Sequence, residues 1–164
     1  MSDGSRKWPT AQTDKMSLHN VLLLTIVITG AALRFFQLGH ESLWLDEAAT
    51  GLRVQMPWPE LFERLTNLKA NPPLHYMLLK GWVDLFGHSE FSLRFISAFF
   101  STLSLVLFYR IAKIFFSGYV ALLGTALLAF SRFHVDFAQE ARCYALMGFL
   151  VLLSMYFFIR LWQR

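Results

Sequence analysis

Long apolar runs alternate with short polar ones along this chain, and the run lengths carry most of the fold. A helix that crosses a bilayer needs about 20 largely apolar residues. Four segments meet that length: 17–38, 91–114, 117–136 and 141–162. The last holds "CYALMGFLVLLSMYFFI", which carries no charge. Ahead of the first lies "MSDGSRKWPTAQTDKMS", polar and rich in turn formers, so residues 1–16 read as a disordered cytoplasmic tail. The apolar run that follows is too long for a cleaved leader and has no small-x-small site after it, so it is expected to stay as an anchor. Residues 39–90 change rhythm, into shorter amphipathic pieces. One of them, "PPLHYMLLKGWVDLFG" at 72–87, is too short to span and sets Lys80 and Asp84 at i,i+4. That pair suits a helix lying at the interface, with Pro72–Pro73 at its start, where a missing N–H is harmless. The expected fold is therefore an all-α integral membrane protein. It has four transmembrane helices, with interfacial juxtamembrane helices in the first external loop.

Composition supports the membrane reading. Hydrophobic residues make up 55% and charged ones only 16%, against about 25% in soluble domains. A chain of 164 residues with 17 Phe and 5 Trp cannot hide that much apolar surface in one small core, so lipid must cover part of it. The net charge of +4 has no basic stripe or RNA-binding signature behind it, which removes nucleic acid as a partner. One cysteine, Cys143, excludes an internal disulfide and a CxxC pair. It reads as a packed thiol.

Charge then orients the spans. If 72–87 does not cross, Arg6, Lys7, Lys15, Arg110, Lys113, Arg160 and Arg164 all fall on one side, which the positive-inside rule makes cytoplasmic. Both termini are then inside. Glu41, Asp46, Glu47, Glu60, Glu63, Asp84 and Glu90 fall outside, as does the turn "HVDFAQEARC" at 134–143.

Four stretches on that outer face carry candidate chemistry, each beside a plainer explanation. "SLWLDEAATG", 42–51, sets Asp46 and Glu47 at the start of a helix with Ser42 as N-cap. Leu45, Ala48, Ala49 and Leu52 share one face; Asp46, Thr50 and Arg53 share the other. Acids in a first turn also gain from the helix dipole, which alone would account for them. In "LKANPPLHY", 68–76, Asn71 either initiates a turn or binds ligand, His75 is either an interfacial histidine or a site group, and Lys69 either meets an anionic headgroup or is solvated. Arg94, about a turn into the second span with Ser89 as cap, must snorkel or pair, and Arg34 holds a similar depth on the first span. "QEARCYAL", 139–146, puts Gln139, Glu140 and Arg142 at the mouth of a chargeless span. A tight turn explains polar residues there but not both signs of charge together. No Walker loop, zinc-ligand spacing, GxSxG or GxGxxG appears, and no βαβ pattern exists for a doubly wound nucleotide-sugar enzyme.

Taken in order, "LWLDEA", "NPPLHYMLLKGW", "GHSEFSLRFISAFFSTLSLVLFYRIAKIFF" and "QEARCYAL" resemble the membrane glycosyltransferases that use polyprenyl-phosphate-linked sugars. The likeness is to the protein O-mannosyltransferase and aminoarabinose transferase group of the GT-C fold, over roughly residues 30 to 160. The resemblance implies an inverting transferase that releases polyprenyl phosphate, with a divalent cation such as Mg or Mn in some members. Its acidic pair matches Asp46 and Glu47, with the aspartate as the acceptor-activating group. Its basic residue matching Arg94 either meets the donor phosphate or supports the site, and the segment of Glu140 and Arg142 lines the same external cavity. Two departures stand out. Asn71 occupies the place of a lysine before the double proline in the aminoarabinose enzymes, with Lys69 two residues earlier. Family enzymes are also several times longer, so the chain is expected to be an N-terminal module or a truncated product.

The expected activity is glycosyl transfer, hexosyl or pentosyl, from a polyprenyl-phosphate donor to an acceptor on the external face of a bacterial or archaeal plasma membrane. Asp46 and Glu47 are the expected catalytic pair. Arg94, Arg142, Glu140, Gln139, His75, Asn71 and Lys69 are the expected substrate-binding residues. Asp46, Glu47 and Glu140 are candidates for a metal. Two alternatives come from other classes. One is a small tetraspan assembly or interaction protein without catalysis. The other is a transporter, against which stands the outer position of Arg34, Arg94 and Arg142.

Overall fold

The computed structural model describes residues 18–67 and 72–163. Asn71, Lys69 and the 1–16 tail lie outside the described residues. The described residues form eight helices in succession and contain no strand: α1 (Leu18–Phe35), α2 (Leu45–Val54), α3 (Trp58–Asn67), α4 (Pro73–Phe86), α5 (Glu90–Phe115), α6 (Gly118–Phe130), α7 (Arg132–Ala138) and α8 (Tyr144–Trp162). Among them α1, α5 and α8 are long and apolar enough to cross a membrane, and α6 with α7 makes a fourth if the bent pair is one span. The third span, expected as one run over 117–136, is instead broken at Ser131 with a bend of 58°. α4, at 14 residues, is too short to cross.

α5 is the central helix and packs on α1, α4, α6, α7 and α8. Its buried residues include a run of small ones, Ser97, Ala98, Ser101 and Ser104. Small side chains let helices approach in lipid, where no hydrophobic force drives them together. Gly30 on α1 serves the same end, because a Cβ there would sit 2.8 Å from Leu105 Cδ1 and 3.2 Å from Ala129 Cβ. Local signals set the ends. Ser89 accepts from Ser92 N at 3.2 Å and caps α5. Pro73 opens α4, and Gly87 closes it at φ +87°, a conformation that suits glycine.

An apolar cluster of Val54, Leu61, Leu65, Leu79, Val83, Leu93 and Ile96 welds α2, α3, α4 and the start of α5 into a cap over one end of the bundle. Lys80 and Asp84 form their i,i+4 pair at 2.7 Å, and Trp58 Nε1 donates to the same carboxylate at 3.0 Å, tying α3 to α4. The outward faces of α1, α6 and α8 stay apolar, with Ile28, Leu127 and Phe157 among those exposed.

One expectation about a helix end changes. α2 starts at Leu45 after Trp44, not after a Ser42 cap, and Glu47 reaches back to accept from Trp44 N at 3.4 Å. Its aliphatic side is the outer one, with Leu45 at 83% and Leu52 at 63% exposure, while Glu47, Thr50, Gly51 and Val54 are buried. Lipid accepts leucine as readily as a core does, so the polar side was free to turn inward.

Candidate functional site

Both span arginines are buried rather than snorkelled. Arg34 is 0% and Arg94 6% exposed. A guanidinium has five N–H groups, and burial demands that each finds an acceptor. Arg94 uses all of them. Nε donates to Glu47 Oε1 at 2.9 Å, and Nη2 donates to Glu47 Oε2 at 2.7 Å and to the Ser42 carbonyl at 3.4 Å. Nη1 donates to the carbonyls of Leu38 at 3.0 Å and Glu41 at 2.8 Å. The bidentate pair is the stronger form of a charged contact. It also leaves Arg94 no N–H to offer a donor phosphate in this geometry.

Glu47 is equally committed. Oε1 also accepts the Ala141 N–H at 2.7 Å, and Oε2 the Trp44 N–H at 3.4 Å, so each oxygen holds two donors. Burial pushes this carboxyl up, but the hydrogen bonds from Arg94, Ala141 and Trp44 and the Arg94 charge outweigh it and hold the pKa below its usual range. Glu47 is thus ionised and saturated, with no lone pair left for an acceptor proton.

The grip on Ala141 has a neighbour effect. Residue 142 follows 141 as 46 precedes 47, and the side chains of Asp46 and Arg142 meet at 3.6 Å. Ser97 Oγ donates to the Arg142 carbonyl at 3.0 Å and fixes the turn from the α5 side. Both charged side chains remain partly exposed, at 48% and 25%. The Arg142 guanidinium also lies 5.7 Å from the Tyr144 ring centroid.

His75 sits near this pair at 2% exposure, with neither ring nitrogen hydrogen-bonded. Burial, and then the Arg142 charge, lowers its pKa to about 4, so the ring is neutral at pH 7 and presents one donor and one acceptor. A buried polar group without a partner is costly and calls for an explanation, such as a ligand.

On the other side of α2 a polar cavity of about 340 Å³ is lined by Glu41, Trp44, Glu47, Asp136, Gln139 and Glu140. Gln139 is partly spoken for: its Nε2 donates to the carbonyls of Leu33 at 3.0 Å and Phe36 at 3.1 Å, closing the end of α1. Glu140 has its pKa raised by burial first, then by the charge of Glu47, with smaller effects of Asp136 and Asp46. Asp46, Glu47 and Glu140 do not form a cation cage. No group of three His, Cys, Asp or Glu among the described residues is placed to hold a metal, and Glu47 has spent its oxygens. The donor set does not fit a divalent ion.

The geometry therefore brings Asp46, Glu47, His75, Arg94, Gln139, Glu140 and Arg142 to one end of the bundle, around the α7–α8 turn. Over residues 70–164, more than half its length, the chain matches the family model of dolichyl-phosphate-mannose-protein mannosyltransferases. The chain belongs to that family. No curated protein and no solved structure matches it. Membership makes the protein a mannosyltransferase-type, GT-C-like membrane protein, and the family works on a lipid-linked sugar. The matched segment includes His75, Arg94 and the 139–142 turn of this mannosyltransferase relative, while Asp46 and Glu47 precede it.

Three contributors were not singled out from sequence: Ser97, Trp44 and Tyr144. Ser97 carried a readable signal, because it recurs with Ser101 and Ser104 at helical spacing inside an apolar span. Trp44 and Tyr144 carried none beyond being aromatic.

Proposed function

We propose that this chain transfers a sugar from a polyprenyl-phosphate donor to an acceptor hydroxyl at the external membrane face, with inversion at the anomeric carbon. Asp46 takes the hydroxyl proton as the new C–O bond forms. The bond from the anomeric carbon to the phosphate oxygen breaks, and polyprenyl phosphate leaves with the electron pair. Arg142 holds the phosphate as that charge develops; a guanidinium suits phosphate oxygens, and preorganised charge is worth most away from bulk water. Phosphate binding draws Arg142 off Asp46 and frees the carboxylate. Glu47 and Arg94 are the frame that sets Asp46 opposite Arg142. His75 offers its neutral nitrogens to sugar hydroxyls, and Glu140 with Trp44 shapes the polar cavity.

The observation that carries this reading is the 3.6 Å approach of Asp46 and Arg142, fixed by the Glu47 hold on Ala141. The test is transfer from polyprenyl-phosphate mannose in membranes containing the protein. Asp46→Asn should lower kcat by roughly 10²–10⁴-fold, the range for a general base, with donor KM little changed. Arg142→Gln should chiefly raise donor KM. Transfer at the wild-type rate by Asp46→Asn would sink the assignment.

A further inference from the structure

α7 is held by polar contacts more than by packing. Of its seven residues only Ala138 is buried, and Phe133 is left 72% exposed. Both of its ends are tied to the end of α1. Near its start, Arg34 Nη1 donates to the Ala129 carbonyl at 3.0 Å and Nη2 donates to His134 Nδ1 at 2.9 Å. At its end, Gln139 Nε2 donates to the carbonyls of Leu33 at 3.0 Å and Phe36 at 3.1 Å, with the Arg34 carbonyl at 3.4 Å. The last carbonyls of a helix have no partner within it, so a side-chain amide fits there.

Gln139 stands three residues before Arg142, in the turn that carries it. Two other anchors hold that turn. The Ala141 N–H donates to Glu47 at 2.7 Å, and the Arg142 carbonyl accepts from Ser97 Oγ at 3.0 Å. These anchors are on adjacent residues, so the turn can still rotate about the line that joins them. A third point off that line removes the rotation, and Gln139 supplies it. The rotation matters because Asp46 and Arg142 meet at 3.6 Å with both side chains partly open to water. α2 is set from the same place. Glu47 is gripped by Arg94, whose Nη1 donates to the Leu38 carbonyl at 3.0 Å, just past the end of α1. Residues 33–38 are therefore a common reference for the two sides of the Asp46–Arg142 pair.

We propose that Gln139 is a positioning residue for sugar transfer: its amide fixes the 140–142 turn to the end of α1 and so keeps Arg142 opposite Asp46. The assignment rests on the transfer reading above and gives Gln139 a role through Arg142 in place of a direct contact with the sugar. An amide has two N–H groups, and both are taken by α1 carbonyls, which leaves none for a sugar hydroxyl.

Two variants test it. Gln139→Met keeps the length and removes the donors. Gln139→Lys returns N–H donors of similar reach without the amide oxygen, and a cation suits the C-terminal end of a helix. Each is compared with wild type and Asp46→Asn for kcat and donor KM with polyprenyl-phosphate mannose, and for amide exchange at residues 140–143 in lipid nanodiscs, read by mass spectrometry. Gln139→Met should lower kcat by roughly 10–100-fold, the scale of a misplacement of about 1 Å. Arg142 itself is kept, so the phosphate is still bound and donor KM should change little. Exchange at 140–143 should quicken by about tenfold, because the turn opens locally at lower cost. Gln139→Lys should recover most of both. A raised donor KM with kcat kept would make Gln139 a sugar ligand and overturn the assignment. Wild-type kinetics in Gln139→Met, a lower kcat with exchange unchanged, or a Gln139→Lys as poor as Gln139→Met also overturns it. Asp46→Asn separates the two readings. If it is impaired while Gln139→Met is not, the positioning role alone falls. If it transfers at the wild-type rate, the transfer reading falls and the positioning role falls with it.

Discussion

The Glu47–Arg94 pair makes the sharpest energetic prediction. Glu47 is 0% exposed and takes two N–H groups from Arg94 and one each from Ala141 and Trp44. Glu47→Gln keeps the shape but strands the Arg94 charge and points an NH₂ at donors. Removing one partner of a buried ion pair costs about 3–5 kcal/mol. Arg94 keeps its contacts to the Leu38, Glu41 and Ser42 carbonyls, which sets the expected loss near the lower end, about 3 kcal/mol. At roughly 2–4 °C per kcal/mol for a chain of this size, the melting midpoint should fall by about 6–12 °C. Arg94→Gln should cost at least as much, because it strands a carboxylate.

The two losses should not add. Once one charge is gone the other has lost its partner, so the double variant should be more stable than the sum of the singles by about 1–3 kcal/mol. The chain has one cysteine, Cys143, next to the turn that Glu47 holds, so thermal unfolding in detergent can be followed by its reaction with a thiol dye. Asp136→Asn, which breaks an exposed pair with Arg132 at 3.6 Å, is the control and should leave the midpoint in place. A Glu47→Gln midpoint equal to the control, or strictly additive singles, would refute the clamp.

Three further outcomes follow from the packing and the charges. Gly30→Val would drive a side chain into Leu105 and Ala129, at an overpacking cost of about 1–3 kcal/mol, whereas Gly81→Ala should be silent in the same melt. Arg34→Lys replaces five contacts with at most three and should destabilise by about 2 kcal/mol, with faster amide exchange concentrated at residues 128–134, where Arg34 holds the carbonyls of Leu128 and Ala129 at the helix break. The acid limb carries two opposite signs. Glu47, held below its usual range, stabilises fully above about pH 4.3 and loses that contribution as pH falls through its lower folded value, so the wild-type midpoint should drop there and that of Glu47→Gln should not. Glu140 is raised, so its ionised form costs stability above the folded value; Glu140→Gln should raise the midpoint at pH 7 and have no effect below about pH 4.

Run length made the spans legible, because a bilayer sets a length that sequence must obey. The Lys80–Asp84 pair, the Ser89 cap and the proline start of α4 were legible because each is settled within a few residues. The inward face of α2 was not. In a soluble protein Leu45 and Leu52 would mark the core side, but beside lipid the same stripe has two apolar destinations, and periodicity cannot choose between them. The state of the arginines was hidden for another reason. Most of their acceptors are backbone carbonyls, at Leu38, Glu41 and Ser42 for Arg94 and at Gly30, Leu128 and Ala129 for Arg34, and every residue has one. The break at Ser131 has no proline or glycine beside it, and its stabilisers come from α1.

The paired acids then divide their labour for a geometric reason. Consecutive helical residues point about 100° apart, so two adjacent carboxylates cannot face the same partner. One of them turns into the protein, where four N–H groups hold it and remove it from acid–base work. That same hold fixes the turn at Ala141, and the residues one step away on each strand of chain, Asp46 and Arg142, are brought together with part of their surface still open. A lone aspartate on α2 would have the open carboxylate but nothing to register it against the turn. A lone glutamate would have the clamp but no free carboxylate. The doublet is the shortest sequence that supplies both, and its apolar flanks follow from the same geometry, with Trp44, Leu45 and Leu52 left on the outside of a helix whose polar side faces in.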